Sequence, residues 1–171
     1  YIQFLVAEVR AAWPVSRAII VGYSNGGFLA RQIVLQYPSL FSSLFTLAAC
    51  SGENDTGLAQ ALSIPSVNWH GDADDTVLYA GSPEGFLPGV LNGHGGVGSV
   101  GYLSAAETAA RASRRNGNAG TLVTEGAPFN FVTTPLGSET QRWVSTGSTS
   151  ATAAAFWIGA AATHTATHAD P

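Results

Sequence analysis

Seven residues, Val21-Gly22-Tyr23-Ser24-Asn25-Gly26-Gly27, constrain this chain more than any other stretch. Ahead of them, Arg17-Ala18-Ile19-Ile20-Val21 is a short β-branched apolar run, which reads as a buried parallel strand. Behind them, the segment from Phe28 to Tyr37 has helical spacing, with Phe28, Leu29, Gln32, Ile33 and Gln36 on adjacent stripes, and Pro38 closes it. A strand therefore passes into a helix through Gly-x-Ser-x-Gly. In that arrangement a serine is held on a strained turn with its side chain standing clear of the sheet. Gly22 and Gly26 are expected to serve space, because a side chain at either place would collide with the neighbouring strand or helix as the backbone reverses. Ser24 is the candidate nucleophile.

Composition narrows what can surround this turn. Hydrophobic residues make up 46% and charged residues 11%, which excludes a disordered chain, and 171 residues suffice for a single domain spanning 1–171 with its own core. Every apolar run is broken by Gly, Pro, Ser or Thr too early to span a membrane. The net charge of −4, with seven arginines scattered from Arg10 to Arg142 and no lysine, argues against a nucleic-acid surface. The single cysteine, Cys50, follows Leu47-Ala48-Ala49 and reads as a buried structural thiol at a strand end. With no methionine and an immediate helical pattern from Tyr1 to Ala12, the chain reads as a fragment or processed product, truncated at its N-terminus.

Taken in order, Leu44 to Ala49 predicts a second buried strand, and Ile64 to His70 a third, with Pro65 at its entry where no ladder hydrogen bond is required. The third strand delivers the chain into an acidic turn, Gly71-Asp72-Ala73-Asp74-Asp75-Thr76-Val77. Asn54-Asp55-Thr56 matches a glycosylation sequon and reads as a chance occurrence. Residues 80–101 are Gly-rich, with Pro83, Pro88, Phe86 and Leu87, a length that suits either a loop shaping a binding site or disorder. Ser104 and Glu107 form a capping box for a helix from Ala105 to Arg115, which Asn116-Gly117 stops. A short strand at 121–124 and a last one at 154–158 complete the pattern. Strands alternating with helices, all crossing in one direction, give an α/β fold with a mostly parallel sheet and flanking helices. In such sheets the site lies at the carboxyl ends of the strands, where Ser24, Asp74 and His164 would gather.

A serine hydroxyl needs a base to take its proton, and the base needs a carboxylate to fix its tautomer. The chain presents Ser, Asp and His in the order expected of an α/β-hydrolase. For the acid, Asp72, Asp74 and Asp75 compete; the hydrolase pattern, which places the acid on the loop after a strand as Gly-x-x-Asp-x-x-Val, implies Asp74 through Gly71 and Val77. Asp72 and Asp75 stand as alternatives that would otherwise be solvated neighbours. A calcium loop fails, because Val77 stands where the turn needs Gly and Pro83 where Glu is expected. For the base, His70 precedes the acidic turn and reads as helping to hold it. His94, in Gly93-His94-Gly95-Gly96, imitates an oxyanion motif that belongs before the nucleophile. His164 and His168 share i,i+4 spacing but lack the Glu and third ligand of a zinc site, so no metal and no cofactor is expected. His164, after the small-residue turn from Gly159 to Thr163, is the candidate base.

Gly22-Tyr23-Ser24-Asn25-Gly26-Gly27, His70-Gly71-Asp72-Ala73-Asp74-Asp75-Thr76-Val77 and Ala106-Glu107-Thr108-Ala109 through Arg115-Asn116-Gly117 together resemble the polyhydroxybutyrate depolymerase and feruloyl esterase branch of the α/β-hydrolases. Trp157 before His164 fits the same pattern. Leu78 departs from it, standing where a proline commonly follows the acid-loop valine, as does Ala160-Ala161-Ala162-Thr163 in place of a glycine run before the histidine. The resemblance implies a secreted, extracellular serine carboxylic-ester hydrolase acting on a small or polymeric ester, with Ser24, Asp74 and His164 as triad. The backbone N–H of Asn25 would be one oxyanion donor, and a second would come from a loop ahead of the first strand seen here. Two other readings stand beside it: a prolyl oligopeptidase-type serine peptidase, which uses the same elbow and triad, and a non-enzymatic protein of hydrolase fold.

Overall fold

The computed structural model describes residues 1–52, 64–83, 101–130, 140–149, 154–160 and 162–163. Its apolar runs pair side by side into one sheet of six strands, in the order β1-β2-β3-β6-β5-β4. These are β1 (Ile19–Tyr23), β2 (Ser43–Leu47), β3 (Ser66–Gly71), β4 (Leu122–Thr124), β5 (Thr140–Ser145) and β6 (Ala154–Gly159). Helices α1 (Ile2–Ala12), α2 (Asn25–Gln36) and α3 (Ala105–Arg115) flank it, with a 3₁₀ turn at Pro38–Leu40. The chain is thus an α/β protein with a mostly parallel sheet.

β1, β2, β3 and β6 run parallel, while β5 is antiparallel to both β6 and β4. The expectation that every strand runs one way is therefore corrected at β5, a strand the apolar pattern does not reveal. Its sequence, Thr-Gln-Arg-Trp-Val-Ser, has no continuous apolar run, and Thr140 and Ser145 at its two ends are nonetheless buried. Pairing with β6 decides its state, since strand preference depends on cross-strand neighbours.

Helix α2 packs Ala30, Val34 and Leu35 onto Leu44 and Ile64, with Ile20 and Phe41 against the edge of that cluster. Burying each of the larger side chains contributes about 1.5–3 kcal/mol. Its buried stripe is Gly27, Ala30, Arg31, Val34 and Leu35, at i, i+3, i+4, i+7 and i+8. The stripe expected from Phe28, Leu29, Gln32, Ile33 and Gln36 is thus rotated from the true one, and Leu29 is exposed. The reason is Arg31, which looks like a solvent-facing residue in sequence but is buried. Its Nη2 donates to Thr46 Oγ1 at 2.6 Å, and Thr46 in turn donates to Asn68 Oδ1 at 2.8 Å. Those bonds carry the polar head across the sheet and offset the cost of burying it.

Helix α3 covers β3 and β6 on the same face, with Ala105 and Ala109 packed among Cys50, Val77, Tyr102 and Phe156. Cys50 is fully buried just past the end of β2, as its apolar neighbours suggested. Helix α1 buries none of its residues, and Arg10 Nη2 reaches the Leu40 carbonyl at 2.9 Å. Among the described residues no helix is long and apolar enough to cross a membrane.

The start of α3 follows from its sequence. Ser104 Oγ accepts from the Glu107 N–H at 3.1 Å, while the Glu107 carboxylate pairs with Arg114 one helical stretch further on. Asn116 caps the other end, and Gly117 takes the left-handed conformation (φ 82°) that terminates a helix. Ser104→Ala removes the cap and is expected to cost about 1 kcal/mol. In a domain of this size that lowers the thermal midpoint by about 2–4 °C, which a circular dichroism melt will register.

Candidate active site

Ser24 sits between the last residue of β1 and the first of α2, with φ 52° and ψ −126°. A non-glycine residue there is strained by about 1–3 kcal/mol and persists only when its surroundings over-determine it. Here both sides of the residue are held. The Ser24 N–H donates to the Leu47 carbonyl at 2.9 Å, prolonging the β1–β2 ladder by one bond. Its own carbonyl accepts from the N–H groups of Gly27 at 2.8 Å and Phe28 at 3.2 Å, which start α2. The side chain makes no capping bond to the helix. A serine so placed projects from the carboxyl end of a parallel sheet, beside the N–H of Asn25, which as the first residue of α2 has no intrahelical acceptor.

The close approach behind this turn depends on two glycines, one of them not the expected one. A Cβ on Gly22 would run into the carbonyl of Gly26 and the Cα of Gly27. A Cβ on Gly27 would run into the Cβ of Ala49 and lie 3.1 Å from the Gly22 carbonyl. Gly26 is corrected: a Cβ there meets nothing within 4 Å among the described residues, because α2 turns that position outward. The second steric position of the motif is therefore Gly27.

Two strands away, β3 ends in the acidic turn. Asp72 and Asp75 are exposed, whereas Asp74 is only 4% exposed. Its Oδ1 accepts from the Thr76 N–H at 2.9 Å and the Val77 N–H at 2.8 Å, so the carboxylate orders its own turn. Its Oδ2 lies 3.4 Å from His70 Nε2. His70 Nε2 also lies 2.7 Å from the Val77 carbonyl, to which it must donate, and Nδ1 is 4.0 Å from the Cys50 sulfur. Burial pushes the Cys50 thiol up to about 12, against the opposing pull of the Arg31 charge, so it is a protonated thiol. Tyr102, buried against α3, completes the frame: its hydroxyl accepts from the Leu78 N–H at 3.0 Å and its ring meets Phe28 of α2 edge-on at 5.7 Å.

The turn after β6 is stitched to the same place. The Asp72 N–H donates to the Gly159 carbonyl at 3.1 Å and the Ala73 N–H to the Ala162 carbonyl at 3.2 Å. Ala162 is buried. The contact needs Gly71, since a Cβ there would overlap the Ala162 carbonyl. His164 lies outside the described residues, as do His94, His168 and the sequon at Asn54.

The parallel run of β1, β2, β3 and β6 brings Ser24, the acidic turn and the post-β6 turn to one edge of the sheet. β1 and β3 are two strand spacings apart, about 10 Å, which leaves room for an intervening side chain between Ser24 and Asp74. Tyr102 and the steric role of Gly71 are the parts of this frame that the sequence does not mark. Gly71 was legible only as a motif letter, and Tyr102 carries no local signal because its partners are 24 and 74 residues away. Among the described residues no group of three or more His, Cys, Asp or Glu is placed to hold a metal ion. A scan of the sequence against protein-family models finds no match, and a search of curated proteins finds no significant match.

The two glycines of the motif are separable by substitution. Gly22→Ala forces backbone apart and is expected to destabilise by about 2–3 kcal/mol or more, whereas Gly26→Ala changes stability by less than about 1 kcal/mol. Urea unfolding of the pair measures the difference; equal losses would refute the assignment.

Proposed function

We propose that the chain is a serine carboxylic-ester hydrolase of α/β-hydrolase fold, with Ser24 as nucleophile, Asp74 as acid and His164 as base. The observation that carries this reading is the strained Ser24, held at the same sheet edge as a buried, hydrogen-bonded Asp74. Strained non-glycine residues cluster at active sites, and a positive-φ serine between strand and helix is what a nucleophile elbow calls for. The likeness of its motifs to the polyhydroxybutyrate depolymerase and feruloyl esterase branch supports the same assignment and suggests an ester of that range as substrate.

In this mechanism His164 takes the Ser24 proton as Oγ attacks the ester carbonyl, forming the tetrahedral intermediate. The Asn25 N–H donates to the oxyanion, at the end of a helix whose dipole favours negative charge there. Collapse expels the alcohol, which takes the proton from His164 and leaves an acyl group on Ser24. Water, deprotonated by His164, then attacks the acyl group and releases the acid, restoring the serine. Asp74 holds the imidazole tautomer and stabilises its charged form. Its two backbone N–H bonds hold the carboxylate in place through Oδ1.

Turnover of p-nitrophenyl butyrate tests the acid. Asp74→Asn is expected to lower kcat by about 10³–10⁴-fold, while Asp72→Asn and Asp75→Asn stay within about twofold, being solvated neighbours. Wild-type turnover in Asp74→Asn would remove Asp74 from the mechanism.

A further inference from the structure

Just ahead of the acidic turn, at the end of β3, lies a histidine that the triad does not use. His70 lies on β3 four residues before Asp74, and both side chains are fully buried. Its ring stands edge-on to Tyr79, with centroids 6.1 Å apart, so the imidazole is packed as well as bonded.

The ring nitrogens have distinct tasks. Nε2 sits 2.7 Å from a carbonyl oxygen, which can only accept, so Nε2 carries the proton. The same nitrogen lies 3.4 Å from Asp74 Oδ2. Nδ1 faces the Cys50 sulfur at 4.0 Å, and a protonated thiol can donate to it weakly. The neutral Nε2–H tautomer is therefore satisfied at both nitrogens.

The bonds close a ring. Asp74 Oδ1 is held by the Thr76 and Val77 N–H groups, the Val77 carbonyl is held by His70, and the same His70 N–H faces Asp74 Oδ2. Removing the Nε2 donor would leave the Val77 carbonyl without that bond and Oδ2 without that neighbour, so the carboxylate could pivot about the Oδ1 bonds that still hold it. A shift of about 1 Å at a catalytic group can cost about a hundredfold.

We propose that His70 is a positioning residue for the ester-hydrolase reaction, fixing the Asp74 carboxylate through its Nε2–H while the Cys50 thiol holds the opposite nitrogen. This rests on the serine hydrolase reading given above. His70 touches neither substrate nor Ser24 in this role; it acts through Asp74.

The test compares two substitutions that differ in where they place a donor. The amide nitrogen of His70→Gln reaches the position of Nε2, whereas that of His70→Asn reaches only Nδ1. With p-nitrophenyl butyrate, His70→Asn is expected to lose kcat about tenfold to a hundredfold, with KM unchanged within about twofold, as for an interaction expressed in the transition state. His70→Gln restores kcat to within about threefold of wild type. Wild-type kcat in His70→Asn, or equal losses in the two variants when both keep the wild-type circular dichroism spectrum, overturns the proposal. Should both variants unfold, ¹⁵N-histidine NMR of the wild-type protein decides: a proton on Nε2 with Nδ1 bare is required, and a proton on Nδ1 alone overturns it. A folded wild-type protein without turnover removes the hydrolase reading itself, and this one with it. Turnover in the wild type with no effect of His70→Asn removes only the role of His70.

Discussion

The hydrogen bond from the Ser24 N–H to the Leu47 carbonyl is the constraint on which the candidate site depends. It keeps Ser24 in the sheet ladder while the Ser24 carbonyl already serves as the first acceptor of α2. A residue that belongs to a strand on one side and to a helix on the other has few backbone angles open to it. Ser24 accepts a positive φ as a result, and the strain is carried by the ladder, the helix and the close packing of Gly22 and Gly27. Loosening any of the three would let the turn relax and the side chain leave the sheet edge.

The other half of the site is built by a different device. The Asp74 turn is closed by backbone N–H groups and by an imidazole. Backbone donors are fixed by the fold and cost no side-chain entropy, so they hold a buried carboxylate in place. The same turn receives the chain after β6 through Gly71, whose missing side chain permits contact with Ala162. Two loops distant in sequence are thereby registered to each other by backbone bonds. The arrangement suits the proposed chemistry, where a misplacement of about 1 Å can cost two orders of magnitude.

Much of this was legible in the sequence where local rules decide. Apolar runs placed β1, β2, β3 and β6, Ser104 with Asn116-Gly117 bounded α3 to the residue, and the spacing from Gly71 to Val77 picked the one buried aspartate of three. What was not legible depended on partners far away. β5 is a strand because β6 and β4 flank it, not because of its own pattern. The buried face of α2 was displaced because Arg31 is made tolerable by Thr46 and Asn68, which no count of apolar residues detects. Gly26 and Gly27 are neighbours in the sequence, and what separates them is the packing of α2, which turns Gly27 onto Ala49 and the Gly22 carbonyl and Gly26 outward.

The central claim is that Ser24 is an activated nucleophile, and covalent trapping tests it most directly. The folded protein would be treated with a fluorophosphonate, digested with trypsin and mapped by mass spectrometry. The account predicts a single adduct on Ser24, within the peptide that begins after Arg17 and ends at Arg31, and no adduct in Ser24→Ala. An unlabelled protein that is otherwise folded, or an adduct on a different residue, would contradict it.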